Sequence, residues 1–322
     1  MSVIIGIDTS CYTTSIAVID LEGKKIAENR RLLAVEKGSR GLAQSAALFQ
    51  HIREGSDVIA CALKDVNKND VVAIAVSTTP RPTEDSYMPV FLAGVNFAKT
   101  LAAAYKVPVY GFSHQEGHLM AAILTSGMPP KEEFLALHLS GGTSEILQVK
   151  TEPNGFNVDI LGAGTDLHAG QFVDRVGVAL GLDFPAGQKL DELACSYKGE
   201  FEPIASVVKG MDFSFSGPES AAQRMVAKGV QAEAVACATF SCIAKTLAKA
   251  FTNAVEHSSL QDILLSGGVS GSAYLKDKLT HFMGRKVRLY FADPYYAKDN
   301  ALGIAHLGKR AYYNNNKLGG LE

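Results

Sequence analysis

The chain has 322 residues, 47% of them hydrophobic and 20% charged, with a formal net charge of −2. That balance excludes an intrinsically disordered chain, and the length favours two packed cores over one. A near-neutral chain has no global basic field for nucleic acid, and no dense Lys/Arg run marks a local patch. Five scattered cysteines, Cys11, Cys61, Cys195, Cys237 and Cys242, contain no C-x-x-C pair, so neither a disulfide framework nor a zinc knuckle is expected. The apolar stretches read as well short of a membrane span, and no basic leader precedes Val3. The expectation is a cytoplasmic protein with no membrane partner.

Val3 to Ile7 reads as a strand, Asp8-Thr9-Ser10 as a turn, and Thr14 to Ile19 as an alternating second strand. Leu21-Glu22-Gly23-Lys24 is turn chemistry, after which Lys25 to Leu33 returns as a third strand. A helix is predicted from Gly41 to Asp65, a buried strand from Val71 to Ser77, a Pro-rich loop from Thr78 to Pro89 and a helix from Val90 to Tyr105. Val107 to Gly111 follows as a strand and His114 to Leu124 as a helix. The cycle then repeats. Phe134 to Ser140, Glu145 to Lys150 and Asn157 to Leu161 read as three strands, with helices at 170–181, 188–197 and Gln231 to His257. Asp262 to Leu265 is a strand, a helix starts at Ala273, Val287 to Phe291 is a strand, and Asn300 to Tyr312 is a closing helix before a polar tail expected to fray. The duplicated order divides the chain into an N-terminal lobe, 1–130, and a C-terminal lobe, 131–322, with a helical insertion at about 165–225. The last helix is free to pack back on the first lobe.

Three turns carry chemistry. A strand ending in Gly6-Ile7-Asp8-Thr9-Ser10 brings amides and hydroxyls to a bend suited to an anion, with Asp8 beside it for a metal or water. Ser140-Gly141-Gly142-Thr143-Ser144 repeats the device, and Gly267-Gly268 ahead of a helix suits a base and ribose lying against the backbone. Each is equally well explained as plain turn chemistry; three in a duplicated pattern are more specific.

His114-Gln115-Glu116-Gly117-His118 sets two imidazoles at i and i+4, one helical turn apart, a spacing that suits one metal ion. The competing reading makes one histidine a helix cap and the other core. A zincin needs Glu directly after the first His, where this chain has Gln115. Glu116 falls on another helix face and is expected behind the site or at the surface. His51 and His257 read as ordinary helix positions, and His138 and His168 as structural.

Taken in order, Gly6-Ile-Asp-Thr-Ser-Cys11, His114-x-Glu-Gly-His118, Leu139-Ser-Gly-Gly142, Asp212-Phe-Ser-Phe-Ser-Gly217, Gly267-Gly-Val-Ser270 and Asp299-Asn300 resemble the TsaD/YgjD family over nearly the whole chain. These are the tRNA threonylcarbamoyladenosine transferases, once labelled O-sialoglycoprotein endopeptidases. The resemblance implies a duplicated actin/Hsp70/sugar-kinase-like (ribonuclease H-like) α/β fold with two lobes and an interlobe cleft. It implies transfer of threonylcarbamoyl from threonylcarbamoyl-AMP to the N6 amine of the adenosine next to the tRNA anticodon, with release of AMP. By resemblance one divalent metal, iron or zinc with magnesium as the alternative, is held by His114, His118 and Asp299. The adenine nucleotide (threonylcarbamoyl-AMP, AMP or ATP) is matched to Leu139, Ser140, Gly141, Gly142, Thr143, Asp174, Gly187 and Asp191, joined by Gly267, Gly268 and Ser272, with Asp8 and Ser10 as catalytic candidates. Implied partners are tRNA and accessory subunits, including a smaller paralogue of the same fold.

The departures cluster at the site. Tyr12-Thr13 replaces an acidic pair, Thr143-Ser144 follows Gly142 where the family has His-Thr or Asn-Thr, Ser272 replaces Asn and Glu219 replaces Lys. Thr79 to Pro89 replaces a Gly-Pro-Gly loop, with Arg81 as a replacement anion contact or a simply exposed side chain. The expectation is a diverged paralogue, either a transferase or a nucleotide-binding regulatory subunit; a metallopeptidase ranks last.

Overall fold

The computed structural model describes residues 1–35 and 42–318, without the side chains from 316 onward. It comprises two compact units, the first built from Met1–Leu124, Thr151–Asn157 and the chain from Lys298 onward, the second from Thr125–Lys150 and Val158–Ala297.

In the first unit, β1 (Val3–Thr9), β2 (Thr13–Asp20), β3 (Lys25–Leu32), β4 (Val71–Thr79) and β5 (Val109–Ser113) form one sheet in the order β3-β2-β1-β4-β5. The pair β1–β2 is antiparallel, with Ile7 opposite Ile16, and β1–β4 is parallel, with Ile5 opposite Ile74. β1 and β2 are buried along their whole lengths, so both faces must be covered. Alternation sorts the faces. Val3, Ile5 and Ile7 join a core with Val58 and Ala98, from α1 (Gln44–Leu63) and α2 (Phe91–Tyr105). Ile4 and Gly6 meet the closing helix α9 (Leu302–Leu318): a Cβ at Gly6 would lie 2.6 Å from both Ala301 O and Ala305 N. The same alternation directs Asp8 to the α9 face. α3 (His114–Ser126) follows β5 directly.

The second unit repeats the plan. β6 (Glu133–Leu139), β7 (Ser144–Glu152), β8 (Gly155–Ala163), β11 (Asp262–Ser266) and β12 (Arg288–Phe291) stand in the order β12-β11-β6-β7-β8. Read from its outer antiparallel edge this is the order of the first sheet. Around it lie α4 (Ala169–Ala179), α5 (Gly187–Ser196), the hairpin β9 (Val207–Lys209) and β10 (Asp212–Ser214), α6 (Ser216–Ala227), α7 (Ala232–Ser258) and α8 (Ala273–Met283). α7 is the axis of this core, where Phe240, Leu247 and Phe251 pack with Leu135, Leu137 and Ile263.

Several expectations need correction. α7 is a helix of 27 residues with a mean hydropathy of 1.3 over its most apolar window, long and apolar enough to cross a membrane, yet 89% of that window is buried inside the protein. It is the central core helix. The helix expected from Gly41 starts at Gln44, Gly41 itself lying outside the described residues. The polar tail continues α9 to Leu318, because Tyr313 Oη donates to Leu21 O and Asn314 Nδ2 donates to Pro153 O and Asn154 Oδ1. The segment 165–225 contains the β9–β10 hairpin as well as helices, and α6 was not foreseen because Pro218 sits in its first turn, where a missing N–H costs nothing.

Candidate metal centre and nucleotide-binding turns

The histidines are set by the start of α3. Ser113 and Glu116 form a reciprocal cap: Ser113 N and Oγ both donate to Glu116 Oε2 at 2.8 Å, and Glu116 N donates to Ser113 Oγ at 3.2 Å. Glu116 Oε1 accepts from Phe156 N at 3.1 Å, so this buried carboxylate is fully engaged in structure. The S-x-x-E pattern at 113–116 was the signal for it, and the expectation of a surface role is corrected. With the first turn locked, His114 and His118 share one helix face, and Nε2 of one lies 3.0 Å from Nε2 of the other.

Asp299, just before α9, completes the group. Its Oδ1 stands 3.4 Å from His114 Nε2 and 3.3 Å from His118 Nε2. Ligand atoms about 2.0–2.2 Å from a zinc ion stand about 2.8–3.6 Å apart, the shorter separations on cis octahedral corners and the longer on tetrahedral ones. The three separations fall within that range, and two imidazoles with one carboxylate are the donor set of zinc and of iron(II) facial sites rather than of magnesium.

Neighbouring groups hold these three side chains in place. Asp8, with 0% exposure, places Oδ1 2.9 Å from His114 Nδ1. Ser10 Oγ donates to Asp299 Oδ2 at 2.6 Å, and Arg30 donates to Asp299 O at 3.3 Å. Burial opposes charge on His114, but the Asp8 carboxylate and the bonds to Asp299 and Asp8 outweigh it and hold the ring well above its ordinary value. Burial likewise opposes charge on Asp299, yet hydrogen bonds from His114 and His118 hold it well below the usual carboxylate range. Thus Asp8 stands against His114 and Ser10 against Asp299. His51, read from sequence as an ordinary helix position, is fully buried behind Ser10, with Nε2 2.8 Å from Ser10 O and Nδ1 2.7 Å from Thr14 Oγ1.

The remaining candidates all lie in the second unit. The turn after Leu139 is closed by Ser140 N donating to Thr143 O at 2.7 Å, and Gly142 N and Thr143 N both point at Ser140 Oγ. Gly141 and Gly142 are exposed, with open space where a Cβ would be. α4 starts hard against this turn: Gly170 N donates to Ser140 O at 3.1 Å. Gly267 has φ +91°, and a Cβ there would lie 2.4 Å from Leu139 O, so only glycine fits.

Asp174 accepts from Ala186 N at 2.8 Å, beside Gly187, which begins α5; burial pushes its pKa up against the N–H groups of Ala186 and Gly187. Asp191 holds the start of α8, accepting from Ser272 Oγ at 2.5 Å, Ala273 N at 2.9 Å and Tyr274 N at 3.1 Å. Ser272 in turn caps α8 by accepting from Leu275 N at 3.0 Å. Beyond Asp191, one turn further along α5 and α8, lies a cavity of about 480 Å³ lined by Ala194, Cys195, Tyr197, Lys198, Phe201, Cys237, Tyr274 and Lys278 among others.

Asp166 was not anticipated. It accepts from Ser214 Oγ at 2.5 Å, from Ser216 Oγ, from Leu167 N at 2.6 Å and from Phe215 N at 3.0 Å. Burial acts against its charge, but these donors hold it below the usual carboxylate range. The Asp212–Gly217 motif is therefore a set of hydroxyls and amides wrapped on one carboxylate.

Solved structures share this architecture. (R)-2-hydroxyglutaryl-CoA dehydratase component A of Acidaminococcus fermentans superposes with a TM-score of 0.60 at 17% identity, covering 97% of this chain and 100% of that one. HypF of T. kodakarensis gives 0.62 at 11% identity over 98% of this chain and 48% of that chain. A ROK family glucokinase from Streptomyces griseus, in complex with glucose and AMPPNP, gives 0.54 at 11% identity over 96% and 100%. At such identities the likeness shows the fold, which is of the actin/Hsp70/sugar-kinase type. The family model for tRNA N6-adenosine threonylcarbamoyltransferase matches residues 29–306, a span from β3 into α9 that takes in both histidines, Asp299 and the turns at 140–143 and 267–268, and the chain belongs to that family, TsaD.

Proposed function

We propose that this protein transfers the threonylcarbamoyl group of threonylcarbamoyl-AMP to the N6 amine of the adenosine next to the anticodon in tRNA, releasing AMP. The observation that carries the reading is the convergence of His114, His118 and Asp299 within ligand distance of one another, in a chain of the threonylcarbamoyltransferase family. In the reaction the amine nitrogen attacks the carbamoyl carbon, the bond from that carbon to the phosphate oxygen breaks, and AMP leaves with the oxygen while the amine gives up a proton. A divalent ion on the three ligands, iron or zinc, would act as a Lewis acid toward the carbamoyl or phosphate oxygen.

The chain's own residues then bind and orient. The exposed Ser140–Thr143 turn, with no side chains on Gly141 and Gly142, gives phosphate close access to the backbone. Asp174 and Asp191 retain carboxylate lone pairs for ribose hydroxyls beside the bonds they make to α5 and α8. The cavity beyond Asp191 has the aromatic walls Tyr197, Phe201 and Tyr274, suited to a purine. Accessory subunits, including a smaller paralogue of the same fold, complete the cytoplasmic assembly; the exposed Phe49 and Ile52 on α1 offer apolar surface for one.

The departures favour a second reading, a nucleotide-binding subunit without transfer chemistry. Where the family has an acidic pair, Thr13 is buried at the start of β2 and Tyr12 is 45% exposed. AMP release from threonylcarbamoyl-AMP, measured with tRNA and accessory subunits supplied, separates the two. Release coupled to tRNA modification is the expected result. Tight adenylate binding with no release under any combination of partners would establish the second reading instead.

A further inference from the structure

We infer that Thr14, His51 and Ser10 form a buried positioning relay that, with Asp8, selects which atoms of the triad face a metal. The inference rests on the reading that His114, His118 and Asp299 hold a divalent ion. The directions of the hydrogen bonds follow from chemistry alone. Ser10 O is a carbonyl oxygen and only accepts, so His51 Nε2, 2.8 Å away, carries a proton. Burial lowers the pKa of His51, and a neutral ring protonated on Nε2 has a bare Nδ1. The Thr14 hydroxyl, 2.7 Å from Nδ1, must therefore donate.

α1 thus grips the β1–β2 turn from behind, while Ser10 N donates to Thr13 O across the turn at 3.1 Å. The turn so held aims the Ser10 hydroxyl at Asp299 Oδ2, 2.6 Å away, where it can only donate to an ionised carboxylate. One oxygen of Asp299 is occupied, and Oδ1 alone faces the imidazoles. On the opposite side Asp8 Oδ1 engages Nδ1 of His114 at 2.9 Å, which leaves Nε2 as the ring nitrogen turned toward Asp299 and His118. Thr14, His51, Ser10 and Asp8 are all under 3% exposed, which keeps water from competing for these bonds. The arrangement favours a one-oxygen carboxylate ligand with two imidazoles.

The bland alternative is that His51 only ties a helix to a sheet. Cobalt(II) separates the two, because its visible absorption reports ligand number and geometry. The full-length protein, stripped with chelator, is titrated with Co²⁺ alone, alongside Ser10→Ala, Ser10→Thr and His51→Phe. The relay predicts Co²⁺ affinity about 10-fold or more weaker in Ser10→Ala and His51→Phe. It also predicts a shifted absorption band, as Asp299 turns to offer both oxygens, and near-native behaviour in Ser10→Thr. Ser10→Ala removes one hydroxyl and no packing, so it decides the matter even where His51→Phe fails to fold. Native affinity and spectrum in Ser10→Ala would overturn the relay while leaving the metal site intact. A wild-type protein that takes up neither Co²⁺ nor Zn²⁺ would overturn the metal reading, and the relay with it.

Discussion

An imidazole that binds a metal almost always has its second nitrogen engaged by an acceptor, and Asp8 Oδ1 stands 2.9 Å from His114 Nδ1. His118 has 5% side-chain exposure, and its removal deletes a proposed ligand near the start of α3 rather than a core apolar contact. His118→Ala is therefore expected to lose metal while melting within a few degrees of the wild type; elemental analysis of the purified variant checks this, and stoichiometric metal would show the ligand assignment wrong. A second histidine reports on pH. His306, on α9, is lowered to about 4 from an ordinary 6.5, first by burial and then by the charge of Lys309, against a stabilising bond to the Gly23 backbone. Because its folded pKa is the lower one, its contribution is fully present above pH 6.5 and is lost as pH falls toward 4. The loss amounts to about 3 kcal/mol at most. Urea unfolding at pH 7 and pH 4.5 should show a smaller acid penalty in His306→Gln than in the wild type.

Helices α3 and α9 come together through glycine. A Cβ on Gly303 would lie 1.9 Å from Gly117 O, and one on Gly117 would lie 2.8 Å from Ile304 Cδ1. Asp299 sits directly ahead of α9 and both histidines are on α3, so this crossing sets the distance between the aspartate and the histidines. Gly303→Ala must push the helices apart, with an expected cost of about 1–3 kcal/mol. It should also weaken metal uptake although residue 303 touches no ligand; unchanged Co²⁺ affinity would show that the crossing does not set the site. In the second unit, Asp191 bridges α5 to α8. Asp191→Ala strips acceptors from Ser272 Oγ, Ala273 N and Tyr274 N, and should destabilise by about 1–3 kcal/mol even without nucleotide. Thermal melts of the free protein give the answer, and an unchanged midpoint would leave nucleotide binding as the residue's only role. Elements with strong periodicity were legible in the sequence, and the three-strand openings of both sheets fall where the alternation places them. The β9–β10 hairpin and α6 were not, because short strands and a proline-bearing first turn give no periodic signal.

At the scale of the whole chain, two sheets of the same strand order confirm the duplication that the pattern of turns suggested. Membership of the threonylcarbamoyltransferase family was equally visible in the ordered motifs, and the family match over residues 29–306 bears it out. The assay of AMP release belongs to this scale, since it needs the intact chain with tRNA and partners. What the linear order determined by itself was local: strand alternation, the i, i+4 spacing of His114 and His118, the Ser113–Glu116 cap and the glycines that permit tight turns. Only the tertiary structure decided which distant residues meet. Asp299 reaches the histidines, and His51 reaches Ser10, because burial of β1 on two faces forces α9 onto one side and α1 onto the other. Nothing in the spacing of those residues along the chain records that encounter, since it arises from packing between segments far apart in sequence.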